Sequence, residues 1–360
     1  MRSLTVGLVL TITLIAFSAY AVETILPIIS DELGGVSLYG WVFSALFLGS
    51  LASVIVAGGI ADQRGALLPF AALAAALAVP ALRELGAPAT PGHRASRRDA
   101  VLVAIGGGLL LAGLSNSTPA LAVALLAAGA AIGIPALRRV TPAGTLTGGT
   151  GLGAAVLVRG LLTFAFFGTE GFLPLMLREA RGLSPTLAGI VLTTGGVTWT
   201  GGSWIHERLA PRLTSRTIIT TSFALVALGA SGVLAVLLFA NIPVEVAYLA
   251  WAVSGSGIGF GYAAISVLVL RLAPAGRTGA TGAAMQVLDN LGTAFGTGVG
   301  GAAIAIAVAR GLEVATGIAA AFGLAIAGAL AGLAVSRRLD ASRPSVIDED
   351  RAPVSAPSVG

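Results

Sequence analysis

The chain has no cysteine and few charged residues, and each shortage excludes a class of protein. Without cysteine there can be no disulfide, no thiolate nucleophile and no thiolate metal site. Only 10% of the 360 residues are charged, whereas soluble domains average about 25%. Since 56% of the residues are hydrophobic and the mean hydropathy is +0.94, no water-soluble fold of this length could bury so much apolar surface. The composition therefore predicts a protein embedded in the lipid bilayer and excludes a soluble enzyme.

Histidine is also scarce, and lysine is absent. The two histidines, His93 and His206, lie beside arginines in polar stretches, so we expect no histidine-based metal site and no cofactor. We also find no pairing of nucleophile and base that would favour an enzyme. All 21 basic residues are arginine and the net charge is +5. In a membrane chain such an excess first reports which side of the bilayer the arginines occupy, so no nucleic-acid partner is expected.

Apolar runs of membrane length predict the fold class: an all-α, polytopic membrane protein. A spanning helix needs about 20 apolar residues, which leaves room for about ten spans. We predict five regions. These are a partial N-terminal bundle of two spans and a stump at 1–82, a cytoplasmic linker at 83–99, a two-span hairpin at 100–139, a complete six-helix bundle at 154–336, and a disordered cytoplasmic tail at 337–360. The six spans of the bundle are expected near 154–177, 183–204, 217–239, 246–270, 281–308 and 314–336.

The distribution of arginine predicts the orientation. With ten spans and a cytoplasmic N-terminus, 17 of the 21 arginines face the cytoplasm, as membrane topology favours. Both termini are then cytoplasmic and the protein is a multi-pass protein of the cell membrane. The apolar run 66–82 conflicts with this scheme, since Arg64 and Arg83 flank it and it contains Pro69 and Pro80. We infer that this run does not complete a crossing, and that it is re-entrant, interfacial or the remnant of a deletion.

Four local motifs resemble the major facilitator superfamily, specifically its 14-span drug:proton antiporter branch. They are Glu23-Thr-Ile-Leu-Pro27, Gly58-Gly-Ile-Ala-Asp62-Gln-Arg64-Gly65, Gly201-Gly-Ser-Trp204 with Arg208 and Arg212, and Gln286-x-x-Asp289-x-x-Gly292. The resemblance implies a fold of two six-helix bundles around a central cavity that works by alternating access. It also implies that Asp62, with Arg64, pairs with a neighbouring span and stabilises one conformation. A charged turn at the membrane interface is the alternative.

The resemblance is interrupted after Gly65. The family's fourth span carries an Arg-x-x-Gln-Gly motif and its fifth a Gly-x-x-x-Gly-Pro motif, and this chain has neither. The segment 71–85 instead resembles the end of the sixth span. We therefore infer an internal deletion of about spans three to six, which would leave the first half incomplete and the second half complete.

Charges inside predicted spans are the first candidates for function, because a charge at the bilayer centre costs about 2.5–3.5 kcal/mol. Four qualify: Glu23, Arg159, Glu170 and Asp289. We consider the three carboxylates candidates for proton or substrate coupling. For Glu23 and Glu170 the alternative is a residue that reaches the outer interface.

Two further expectations concern contacts inside the bundle. Arg159 and Asp289 should both lie nearer the cytoplasmic side of their spans, so we expect a structural or gating ion pair between them. The aromatic residues around Glu170 suit a cationic amphipathic ligand, although aromatic side chains in membrane helices more often serve packing. Tyr20, one turn from Glu23, and Trp199 are candidates to line a substrate cavity.

Glycine-rich stretches such as 255–261 and 292–301 superficially resemble nucleotide-binding loops. They lie inside apolar spans, with no following lysine and no preceding strand, so we expect them to serve close helix packing.

Together these patterns predict proton-coupled efflux of small, drug-like molecules, cationic ones included. The partners would be the bilayer, the substrate and the proton. The alternative is a truncated relic of the same family that does not transport.

Overall fold

A computed structural model describes residues 97–116, 118–274 and 277–339. The first two predicted spans, the segment 66–82 with its inferred deletion, and the tail from residue 340 lie outside these ranges. So do four of the candidate site residues, namely Tyr20, Glu23, Asp62 and Arg64.

The described residues form nine α-helices and no strand. They are α1 (Arg97–Leu114), α2 (Pro119–Val140), α3 (Gly151–Glu170), α4 (Leu173–Arg181), α5 (Pro185–Leu209), α6 (Ser215–Leu238), α7 (Glu245–Arg271), α8 (Thr278–Ala309) and α9 (Val314–Ser336). Within the described ranges, six stretches are long and apolar enough to cross a membrane: α2, α3 together with α4, α6, α7, α8 and α9. The chain is thus an all-α, polytopic membrane protein.

Two helices at predicted spans are not among those six. Helix α5 has 25 residues, but its threonines, its glycines and its polar end lower its mean hydropathy. The apolar part of α1 is only Val101–Leu114, which is shorter than the hydrocarbon core requires.

The span predicted at 154–177 is interrupted. Helix α3 ends at Glu170, and α4 begins at Leu173 with Pro174 in its first turn. Proline has no amide hydrogen, and its ring would clash with the carbonyl four residues earlier, at Glu170. Pro174 therefore ends one helix and starts the next.

The helices of the region 151–336 pack in two groups. In one group α3 contacts α8 and α9, and α8 contacts α9; in the other, α7 contacts α5 and α6. The groups meet mainly where α9 packs against α6 and where α3 and α8 pack against α7. The hairpin of α1 and α2 reaches this bundle chiefly through contacts of α1 with α8.

Glycine brings the helix backbones together, as expected from the sequence. A Cβ atom built on Gly292 of α8 would collide with the carbonyl oxygen of Gly160 in α3, and one built on Gly259 of α7 would collide with the carbonyl oxygen of Trp199 in α5. Small residues allow this close approach in membrane helices. The glycines of α7 and α8 therefore contribute to packing.

Gly292→Ala is expected to lower the free energy of unfolding by about 1–3 kcal/mol, because the added methyl group would collide with the backbone of Gly160 and with the hydroxyl of Thr163. Gly323→Ala is the matched control, since a Cβ there meets nothing within 4 Å and alanine is the better helix former. Thermal unfolding of the full chain in detergent measures both. Equal melting temperatures for the two variants would contradict the packing role of Gly292.

Arg181 of α4 caps the carboxyl-terminal end of α6. Its Nη1 donates a hydrogen bond of 2.9 Å to the carbonyl oxygen of Ala240, and its Nη2 donates to those of Val236 and Phe239. The last carbonyls of a helix have no partner within it, and a cation is favoured there by the helix dipole. Arg181 therefore ties the end of α4 to the end of α6.

Replacing Arg181 with methionine is expected to destabilise the bundle by about 1.5–3 kcal/mol, the range for a hydrogen bond to a charged group. Methionine retains much of the apolar stem. Arg310→Met serves as the control, since Arg310 is exposed. Chemical denaturation of the two variants would compare them, and an equal loss in both would show that the contacts of Arg181 contribute nothing measurable.

Candidate functional site

Arg159 of α3 and Asp289 of α8 form an ion pair inside the bundle. The Arg159 Nε lies 2.6 Å from Oδ1 of Asp289, and the two residues are 2% and 7% exposed. This is the contact that their positions along the predicted spans indicated, although 130 residues separate them in the chain.

Hydrogen bonds from three other residues complete the pair. Oδ2 of Asp289 accepts from the hydroxyl of Tyr262 at 3.1 Å and from Nε2 of Gln286 at 3.0 Å. Nη1 of Arg159 donates to the carbonyl oxygen of Tyr262 at 2.8 Å and to Oγ of Ser266 at 3.1 Å. A buried ion pair recovers its desolvation cost only when such additional bonds satisfy both partners. The network therefore offsets part of the desolvation cost of the two charges inside the bundle.

Tyr262 contacts both charges of the pair. Its ring lies beneath the guanidinium, with the Cζ atom of Arg159 3.0 Å from the ring centroid, and its hydroxyl reaches Asp289. Since Tyr262 belongs to α7, the pair joins α3 and α8 of one helix group to α7 of the other. A change in the charge of Asp289 would therefore act on the contact between the two groups.

The backbone around the pair is fixed by small and hydroxylated residues. The hydroxyls of Thr163 and Thr293 both donate to the carbonyl oxygen of Asp289, at 3.0 and 3.1 Å. Gly160, directly after Arg159, and Gly292, one turn after Asp289, permit the close approach of α3 and α8. The motif Gln286-x-x-Asp289-x-x-Gly292 thus has a physical basis. Gln286 and Asp289 belong to the hydrogen-bond network, and Gly292 allows α3 to approach α8 closely.

A cluster of aromatic rings adjoins the ion pair. Trp199 lies edge-on to Phe166 and to Tyr262, with ring centroids 5.4 and 5.3 Å apart. Phe166 stacks on Trp251 at 4.7 Å, and Phe167 lies 5.3 Å from Phe166. Phe166 and Trp251 are fully buried, whereas Phe167, Trp199 and Tyr262 are half-buried. The half-buried rings leave part of an aromatic surface exposed, and Tyr262 within it contacts the carboxylate of Asp289.

Glu170 is 1% exposed and lies at the last position of α3. It is 11 residues from Arg159, which corresponds to about 16 Å along the helix axis, so these two residues belong to different levels of the bundle. Phe166 and Phe167 precede Glu170 by one turn. The structure therefore keeps Glu170 apart from the ion pair and at the far side of the aromatic cluster.

Of the eight candidate site residues, the structure brings together Arg159, Asp289 and Trp199, the last through Tyr262. Tyr262, Ser266 and Asn290 were missed by sequence reasoning. Asn290 accepts a hydrogen bond from Nε2 of Gln286 at 3.2 Å. A signal did exist, since Tyr262 and Ser266 are polar residues one helical turn apart in an apolar span. Within the described ranges, no group of three or more potential metal ligands occurs.

Comparisons with known proteins bear on this arrangement only weakly. No family model and no curated protein matches the chain. Among solved structures, a bacterial metal transporter aligns with 89% of this chain and 88% of its own length, at 16% identity and a TM-score of 0.44. The E. coli fucose:proton symporter aligns with 86% of this chain and 87% of its own, at 15% identity and a TM-score of 0.35. Neither likeness carries an argument about what this chain binds or moves.

Proposed function

We propose that the chain is a proton-coupled transporter that exports small, drug-like molecules, including cationic ones, by alternating access. The observation that carries this proposal is the buried Arg159–Asp289 pair and its contact with Tyr262 across the two helix groups. Ionisable residues inside membrane spans are costly and generally mark substrate or ion pathways.

The proposed cycle uses competition for Asp289. A proton or a cationic substrate that neutralises this carboxylate weakens its hold on Arg159 and Tyr262, and the contact between the helix groups then changes. The aromatic surface formed by Phe167, Trp199 and Tyr262 suits the apolar and cationic parts of such a substrate. Glu170 would carry a proton at the other side of the aromatic cluster.

The remaining roles rest on the resemblance to the major facilitator superfamily. Glu23 would be a second proton-coupling carboxylate with Tyr20 near it. Asp62 and Arg64 would stabilise one conformation at the cytoplasmic surface. These four residues lie outside the described ranges, so their roles are part of the proposal.

A resistance assay tests the function. Bacteria that lack their own efflux pumps would express the chain, its Glu23→Gln variant or an empty vector, and would be challenged with ethidium as a cationic probe. We expect growth at higher ethidium concentrations only with the unaltered chain, and we expect a protonophore to remove the difference. Exposed Glu179 of α4 provides a control, since Glu179→Gln should protect as well as the unaltered chain.

A second outcome would favour the other candidate, a relic that does not transport. The absence of the motifs typical of the family's fourth and fifth spans supports this alternative. If the chain is present in the membrane and protects no better than the empty vector, the transporter proposal is wrong.

A further inference from the structure

The two ends of the bundle at 151–336 differ in charge. At the end where α4 and α6 stop and α9 begins, acidic and basic residues are balanced: Arg178, Glu179, Arg181, Glu245, Arg310 and Glu313. At the other end α5, α7 and α9 stop and α6 and α8 begin. Its charged residues, within the described ranges, are Glu207, Arg208, Arg212, Arg216, Arg271, Arg277, Arg337 and Arg338. This second end therefore carries a large excess of positive charge.

Four exposed arginines of this end form what we call the basic rim, namely Arg208, Arg212, Arg216 and Arg271. They lie close together, since Arg271 lines the same cavity as Ser215, the neighbour of Arg216. None of the four forms an ion pair with a residue that the structure describes. The carboxylate of Glu207 lines that cavity too, but it offsets only part of their charge. The rim is therefore a surface suited to an acidic partner.

The end of α9 lies beside this rim. Oγ of Ser336, the last residue of α9, is 3.1 Å from Oγ1 of Thr220 in α6, and Thr220 follows Arg216 by about one helical turn. Nη1 of Arg338 donates a hydrogen bond of 2.7 Å to the carbonyl oxygen of Gly148. Leu339, the last described residue, is 3% exposed. The chain is thus held against the bundle up to Leu339, next to the start of α6.

The sequence that follows Leu339 contains an acidic run, Asp348-Glu349-Asp350. No other three consecutive residues of the chain are all acidic. The segment from Leu339 to Asp348 can extend over at most about 30 Å, while the rim begins about one helical turn from the contact made by the end of α9. The acidic run is therefore within reach of the arginines. The flanking residues Arg343 and Arg351 leave the run itself as the concentration of negative charge.

We propose that the acidic run Asp348–Asp350 docks on the basic rim of its own chain. Guanidinium groups bind carboxylates through paired hydrogen bonds and keep their charge at any physiological pH. Single ion pairs at a surface are weak, but a short tether raises the local concentration of the run to the order of mM. Arg216 is the rim residue nearest to the end of α9 along α6, and Glu207 repels the run from the α5 side. The contact centres on Arg212 and Arg216.

Disulfide cross-linking of the full chain tests this contact, because the unaltered chain has no cysteine. Ser215→Cys combined with Ile347→Cys places one thiol beside Arg216 and the other beside Asp348. The protein would be reconstituted in phosphatidylcholine vesicles and treated with a mild copper oxidant. We expect a disulfide within one chain, identified by mass spectrometry of the linked peptides. Leu312→Cys with Ile347→Cys is the control pair, since Leu312 is 50% exposed at the opposite end, and it should not cross-link.

Removing the charges of the acidic run should slow this reaction. In the first cysteine pair, Asp348→Asn, Glu349→Gln and Asp350→Asn together are expected to lower the initial rate of disulfide formation about fivefold, the effect of losing a few exposed ion pairs. Salt at about 0.5 M should lower it similarly in the chain with its acidic run intact, because it screens exposed charges. The salt measurement needs no change in the tail.

The rim is tested in the same way. Arg212→Gln with Arg216→Gln should slow the reaction as much as neutralising the acidic run. Arg138→Gln with Arg310→Gln removes two exposed arginines outside the rim and should leave the rate unchanged. Melting temperatures verify that each variant is folded. None of these measurements requires substrate or a proton gradient, so the failure of this contact and the failure of the proposed function are separate results.

Four outcomes would overturn the proposal. They are equal cross-linking of the Ser215→Cys and Leu312→Cys pairs, a rate that does not change when the acidic run is neutralised, a disulfide between two chains in place of one within a chain, and loss of the cross-link in phosphatidylglycerol vesicles. The third result would mean that the run binds a second copy. The fourth would mean that anionic lipid occupies the rim.

Discussion

Replacing Arg159 with methionine is expected to lower the free energy of unfolding by about 3–5 kcal/mol, the cost of leaving one partner of a buried ion pair behind. Asp289 would lose the 2.6 Å bond from Nε and would remain at 7% exposure with only Tyr262 and Gln286 as donors. Tyr262 would lose the cation above its ring. Asp289→Asn should cost less, because asparagine is neutral and still accepts hydrogen bonds, but it leaves the guanidinium without its counter-charge.

The double variant separates coupling from simple loss of packing. In Arg159→Met with Asp289→Asn no unmatched charge remains, so the double change should destabilise the protein less than the sum of the two single changes, by about 0.5–3 kcal/mol. Denaturant-induced unfolding of the full chain in detergent provides the four free energies. Additive losses would reject the ion pair as an energetic unit.

Arg208→Met is the matched control for this cycle. Arg208 also lies over an aromatic ring, with Cζ 3.2 Å from the centroid of Trp204, but both side chains are exposed. A cation–π contact at such a site is worth about 0.5–1 kcal/mol. A loss in Arg208→Met as large as that in Arg159→Met would show that burial of the pair is not what matters.

The ion pair could be predicted from sequence because the bilayer penalises charge so strongly. Once the spans were placed, Arg159 and Asp289 were two opposite charges at similar depth, and few partners existed for either. The participation of Tyr262 could not be predicted in the same way. It depends on the rotation of α7 about its own axis, and that rotation is set by close contacts such as the one between Gly259 and the backbone of Trp199.

The positions of the helices could also be predicted, because the bilayer requires long apolar segments. Apolar length predicts where helices lie, and the structure has helices at every predicted span in its described ranges. It does not predict interruptions that depend on one residue: the break before Pro174 was missed because the apolar run continues through it. Hydropathy alone does not select α5 as a span, because its threonines, its glycines and its polar end lower the mean value. The span predicted at 183–204 nevertheless coincides with this helix.

Glu170→Gln is expected to reduce proton-coupled transport to the level of the empty vector while leaving the protein folded. Glutamine has nearly the same volume as glutamate and hydrogen-bonds in its place, but it cannot carry or release a proton. Because Glu170 is only 1% exposed, its ionised form is costly in this environment. The neutral variant should therefore stay folded and should lose less stability than Arg159→Met.

Measurements in proteoliposomes distinguish a loss of proton coupling in Glu170→Gln from a loss of stability. The purified chain would be reconstituted with a pH-sensitive dye inside, and proton movement would be recorded when ethidium is added across an imposed pH gradient. The unaltered chain and Glu179→Gln should both couple ethidium movement to protons, since Glu179 is an exposed carboxylate nine residues further on. Glu170→Gln should move neither ethidium nor protons, and its melting temperature should be close to that of the unaltered chain. Normal proton exchange combined with a lower melting temperature would instead assign Glu170 a structural role at the end of α3 and leave Asp289 as the coupling carboxylate of the described bundle.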